Sequence, residues 1–155
     1  MKPKKKYHPK PIRIDNMAFV KAGIQSFEQL AAGVTLRVKN HDSLNNLRMG
    51  IATRSDMDLL IAASNIAEAM RRMGKGNDWR AELRAGHDAL LAVARRGAGT
   101  LHFIMTGLEL QALNLLMEIH DAQLDSCTVQ DVEHAIDLVT EELKHKRATR
   151  IKEKA

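Results

Sequence analysis

The 155-residue chain is 45% hydrophobic and 28% charged, the balance of one globular domain and not of a disordered chain. Its net charge of +5 averages over a strong segregation, and a single cysteine, Cys127, excludes an internal disulfide. No apolar run, Leu59 to Ala63 included, approaches the roughly 20 residues of a membrane span, and no apolar stretch follows the basic start as in a secretory signal. A reducing cytoplasm is therefore the expected setting.

In chain order, residues 1–14 carry Lys2, Lys4, Lys5, Lys6, Lys10 and Arg13 with no acid, a net +6. Pro3, Pro9 and Pro11 forbid a regular helix there, so an extended basic arm is expected. Residues 15–143 hold 12 basic and 18 acidic side chains, a net −6, and are expected to form one helical domain. Residues 144–155 return to +5 and read as the basic end of the last helix and its tail. Cations complement a helix C-terminus at about 0.3–1 kcal/mol each, but this run continues past the last turn.

Four helix starts are marked by capping boxes, a Ser or Thr with an acid or amide three residues later. They are Ser26–Gln29, Thr53–Asp56, Thr106–Glu109 and Thr128–Asp131. A further helix is predicted from Asn77 to the Arg95-Arg96-Gly97 stop, and a short one between Asp42 and Gly50. Apolar stripes run through Leu59, Ala63, Ile66, Met70 and Met73, through Trp79, Leu83, Leu90 and Ala94, and through Val129, Val132, Ile136, Val139 and Leu143. The 107–127 segment carries two stripes, Leu108 to Ala122 and Leu110 to Leu124, and is expected to be central. Val34 to Lys39 alternates apolar and polar residues, as a half-buried strand does, with 101–105 as its partner. The fold class expected is mainly α, a compact bundle of about five helices around 107–127, with at most a small two-stranded β ribbon (34–39 with 101–105).

No motif names a reaction. The seven histidines include no pair spaced for one helix face, and no second cysteine completes a zinc site, so neither a metal nor any other cofactor is expected. His120 lies in an apolar stripe and His87 beside one, where a buried, hydrogen-bonded histidine is the expectation. Asp121, Asp125, Asp131 and Glu133 flank the junction of the last two helices; two carboxylates in a dry cleft could act as acid and base, but a solvated face is preferred. His134 among Asp131 and Asp137 reads as an exposed histidine. Cys127 has no flanking base and reads as a small buried hydrophobe. The glycines at 74, 76, 97 and 99 match no phosphate-binding loop. The pair 42–50 and 53–74, with Arg54, Arg71 and Arg72 on the second helix, superficially fits a helix-turn-helix, although Asp56 and Asp58 on its first turn would repel phosphates.

Lys-Pro-Lys-Lys-Lys-Tyr-His-Pro-Lys-Pro at 2–11 and Glu-Ile-His-Asp-Ala-Gln-Leu-Asp at 118–125 resemble stretches of uncharacterised small phage- and prophage-encoded proteins. The resemblance implies a short helical protein of a mobile element in a bacterial cytoplasm and brings no functional residue with it. The charge pattern gives the expected function: a non-enzymatic accessory protein whose basic ends contact nucleic-acid phosphates. Lys4, Lys5, Lys6, Lys10 and Arg13 are the first candidates, then Lys146, Arg147 and Arg150. The alternative is an adaptor or inhibitor that binds a host or viral protein through a helical face, for which the 129–143 stripe is the candidate. A homodimer is compatible with either, and no membrane contact is expected.

Overall fold

In the computed structural model, residues 31–145 are described. The main helices are α1 (Ala31–Arg48), α2 (Arg54–Arg72), α3 (Arg80–Gly97), α4 (Gly107–Ser126) and α5 (Val129–Lys144), with a 3-10 turn at Asn77–Trp79 before α3. The fold is a mainly α bundle, and no described helix is long and apolar enough to cross a membrane.

Three of the four capping boxes close in both directions. The hydroxyls of Thr53, Thr106 and Thr128 accept from the N–H groups of Asp56, Glu109 and Asp131, whose carboxylates accept in return from the threonine N–H groups. Each box satisfies two of the helix-end donors that would otherwise lack partners. The fourth, Ser26–Gln29, lies outside the described residues.

The strand expectation for 34–39 is overturned: these residues are part of α1, and 101–105 is an irregular linker. The short helix expected between Asp42 and Gly50 is the end of this 18-residue helix. The buried positions of α1 are Gly33, Asn40, Ser43, Leu44 and Leu47, with Leu36 and Arg37 half-buried between them. Their spacing is helical, but two of the buried side chains are polar, so an apolar periodicity cannot display it. Val38, counted on the buried face of the strand, is 53% exposed.

The centre of the bundle also shifts. α4 packs on α3, α2 and α1, whereas α2 packs on all four other helices. Met57, Leu60, Ile61, Ala63, Ala67 and Met70 are buried around much of the α2 circumference. On α4 only one broad face is buried, through Leu113, Leu116, Met117, His120 and Leu124. Of the other apolar stripe, Ile119 is buried and Ala112 half-buried, but Leu108, 79% exposed, Leu115 and Ala122 face solvent. The core divides into two clusters. The larger joins α1 to α4 and includes Phe103 of the linker; the smaller gathers Ala69, Met70, Leu124, Cys127, Val132 and Ala135 where α5 lies on α2.

Candidate functional site

The eight residues expected to touch phosphate, Lys4, Lys5, Lys6, Lys10, Arg13, Lys146, Arg147 and Arg150, all lie outside the described residues. What the structure supplies is the charge state of the body between them. Residues 31–145 contain 12 Lys and Arg against 16 Asp and Glu, a net −4. At least seven of those cations stand in ion pairs: Arg37, Arg71, Arg72, Lys75, Arg84, Arg96 and Lys144.

The acids at the junction of α4 and α5 are dispersed among separate partners instead of lining one cleft. Asp121 Oδ2 accepts from His41 Nε2 at 2.7 Å, and Asp125 pairs with Arg37. Asp131 closes its capping box and stands 3.6 Å from the Lys75 ammonium. Glu133 and His134 are exposed. Among the described residues, no group of three His, Cys, Asp or Glu is arranged to hold a metal ion. The helix-turn-helix reading fails on geometry, because its first helix is the end of the long α1, and Arg71 and Arg72 are bound to Glu68.

Where α1 meets α4, the seam is polar. Arg37–Asp125 and His41–Asp121 close its outer side, and Asn40 and His120 lie beneath at 1% and 0% exposure. Neither His120 nitrogen nor either Asn40 amide atom has a hydrogen-bond partner among the described residues, so His120 is buried as expected but not hydrogen-bonded. Burial pushes the His120 pKa down to about 4, with the neighbouring Gln123 opposing it, and the ring is neutral at pH 7. Gln123 itself donates to the carbonyls of Ala67 at 3.0 Å and Lys75 at 2.9 Å, tying α4 to α2 and to the loop that follows α2.

A groove lies among the described residues where α3 and α5 both pack on α2 but scarcely on each other. This groove has a volume of about 710 Å³. Its polar lining includes Arg71, Arg72, Arg80, Arg84, Glu68 and Glu142, and Leu83, Leu91, Leu138 and Val139 provide apolar wall. Glu68 accepts from Arg71 Nε at 2.9 Å and a terminal Arg71 nitrogen at 2.8 Å, and also from Arg72 Nε at 3.3 Å. The Arg71 hydrogen bonds hold the Glu68 carboxyl below its usual range despite partial burial. Arg72 reaches across to Glu142 on α5 at 3.7 Å.

Ser64 Oγ lies 2.8 Å from His87 Nδ1 in the same groove. Burial lowers the His87 pKa, which keeps the ring a neutral acceptor or donor. The pair has the distance of a nucleophile and its base, but Ser64 is 2% exposed and sits in the middle of α2. There its backbone N–H belongs to the helix ladder and is not available as an oxyanion donor. The pair therefore joins α2 to α3. It could not have been read from sequence, because Ser64 and His87 are 23 residues apart and match no motif.

The 129–143 stripe, the candidate partner face, is largely used within the chain: Val132 is buried, and Val129 and Val139 pack with it against α2 residues. Ile136 and Leu138 remain exposed. Comparison with protein-family models, with curated proteins and with solved structures finds no match for this chain.

Proposed function

We propose that this chain is a small non-enzymatic accessory protein of phage or prophage type, acting in a bacterial cytoplasm. It contacts nucleic-acid phosphates through Lys4, Lys5, Lys6, Lys10 and Arg13 at one end and Lys146, Arg147 and Arg150 at the other. The observation that carries this reading is the division of charge. The body at 31–145 is net negative with most of its cations in ion pairs, while the surplus of positive charge is concentrated in the two ends. Clustered cations not matched by acids in their own segment raise the local potential and release counterions from a polyanion. Contacts of this type position a protein without reading base sequence.

The test is duplex DNA binding by the full chain across about 50–200 mM salt, where multi-phosphate contacts weaken by orders of magnitude. Replacing Lys4, Lys5 and Lys6 together by Gln should lower the log–log salt slope by about 2–3, because each phosphate contact contributes roughly 0.9. Absence of binding at the lowest salt, or an unchanged slope in the triple variant, overturns the reading.

A further inference from the structure

We propose that the groove between α2, α3 and α5 binds a small organic carboxylate, a planar monoanion carried on an apolar or aromatic body. Its volume of about 710 Å³ lies within the range of roughly 300–1,000 Å³ common for small-molecule sites. The wall supplied by Leu83, Leu91, Leu138 and Val139 suits an apolar body, and the guanidinium groups suit its anionic head.

Charge decides the head group. Four arginines line the groove against three carboxylates, Glu68, Asp88 and Glu142, which leaves one positive charge on the lining of a body that is otherwise net negative. The surplus lies with Arg80. Glu68 serves Arg71 and Arg72, Arg72 also reaches Glu142, and the exposed Arg80 makes no ion pair among the described residues. The Arg84–Asp88 pair balances itself at 4.0 Å in solvent. Arg71 engages Glu68 through Nε and one terminal nitrogen, so the other side of its fork keeps N–H donors. Its side chain is only 16% exposed, and an anion meeting it there is less screened than at an open surface. A guanidinium fork matches a carboxylate with two parallel hydrogen bonds. A single surplus charge fits a monoanion better than a dianion, and it disfavours cations. None of the residues that carry this proposal belongs to the basic ends, so its failure would leave the nucleic-acid reading intact.

Isothermal titration of the full chain with 2-naphthoate, its neutral isostere 2-naphthamide and the dianion 2-naphthyl phosphate tests the assignment. Saturable binding of naphthoate is expected, at least about tenfold tighter than naphthamide, the ratio one charge-assisted contact supplies. Arg80→Gln, a change at an exposed side chain, should weaken naphthoate by about tenfold, and Leu138→Ala on the opposite wall by several-fold. Two results overturn the proposal: no saturable binding, or equal affinity in wild type and both variants. Naphthyl phosphate binding about tenfold tighter than naphthoate overturns the monoanion assignment. A variant with Lys4, Lys5 and Lys6 replaced by Gln should retain naphthoate affinity; loss of binding there would place the ligand on the arm and overturn the groove.

Discussion

Gly86 on α3 faces Leu116 on α4 so closely that a β-carbon added at Gly86 would stand 2.6 Å from both Cβ and Cδ1 of Leu116. Leu116 is fully buried and its Cβ is fixed to the α4 backbone, so the two helices would have to separate. Gly86→Ala gains about 1 kcal/mol of helix propensity but, against a Cβ fixed to the facing backbone, incurs overpacking in the upper part of the usual range, about 2–3 kcal/mol. The expected net effect is a loss of stability of about 1–2 kcal/mol, read by urea denaturation. Gly107→Ala is the control. Nothing lies within 4 Å of the added carbon, and the change should be neutral or slightly stabilising. A Gly86→Ala protein as stable as wild type would show that the α3–α4 contact is looser than described.

Stability should fall on mild acidification, and the cause should be histidine. The folded pKa of His120, about 4, lies below the unfolded value near 6.5 because burial disfavours the charged ring. The unfolded chain then binds the extra proton between these values. The contribution of the neutral ring is complete above pH 6.5 and is lost at about 1.4 kcal/mol per pH unit as pH falls toward 4. His87, lowered chiefly by its own burial, acts in the same direction. Asp56, Glu68, Glu109 and Asp131 are all shifted downward, so their stabilisation is present above the unfolded carboxylate values and is lost only below about pH 4. Denaturation series at pH 7, 6 and 5 should show the loss, and His120→Leu should flatten it. An equal slope in that variant would place the titration elsewhere.

The α3–α4 linker is held by Arg96. Its guanidinium donates to Glu109 at 2.9 and 2.5 Å and to the Ile104 carbonyl at 2.8 Å, so the acid that closes the Thr106 capping box is itself anchored to the end of α3. Thr106→Ala should cost about 1 kcal/mol, as capping residues do. Glu109→Ala removes the box and the Arg96 contact together and should cost more. A double-mutant cycle of Arg96→Ala with Glu109→Ala should return a coupling between these two sites of about 0.5 kcal/mol or more.

Cys127 should be nearly inert while the protein is folded. It is 1% exposed, its sulfur lies 4.0 Å from that of Met70, and burial raises the thiol pKa. A thiolate-selective disulfide reagent should modify it only through opening of the α2–α5 contact, with a rate that rises steeply in denaturant. Modification in native buffer as fast as that of a small free thiol would place Cys127 at the surface.

Helix starts were legible because a capping box is complete within four residues: the spacing in Thr53–Asp56, Thr106–Glu109 and Thr128–Asp131 already contains both hydrogen bonds. The α1 helix was not legible. Val34, Leu36 and Val38 alternate by chance of composition, while the residues that turn inward include Asn40 and Ser43, which a hydrophobic pattern does not register. Ser43 is buried because its hydroxyl donates to the Asp56 carboxylate at 2.8 Å, a partner 13 residues away. The exposed Leu108 stripe made α4 look central, but whether an apolar stripe is covered depends on which helices reach it.

The sequence by itself determined the starts of most helices and the division of charge along the chain, since each depends on neighbours within about one helical turn or on composition alone. Only the tertiary structure decided that α2 is the helix meeting all the others, that Ser64 and His87 meet, and that Arg71, Arg72, Arg80 and Arg84 share one groove. Those relationships join residues on different helices. They follow from how side-chain volumes pack across the bundle, Gly86 against Leu116 among them, and local periodicity carries no record of that packing.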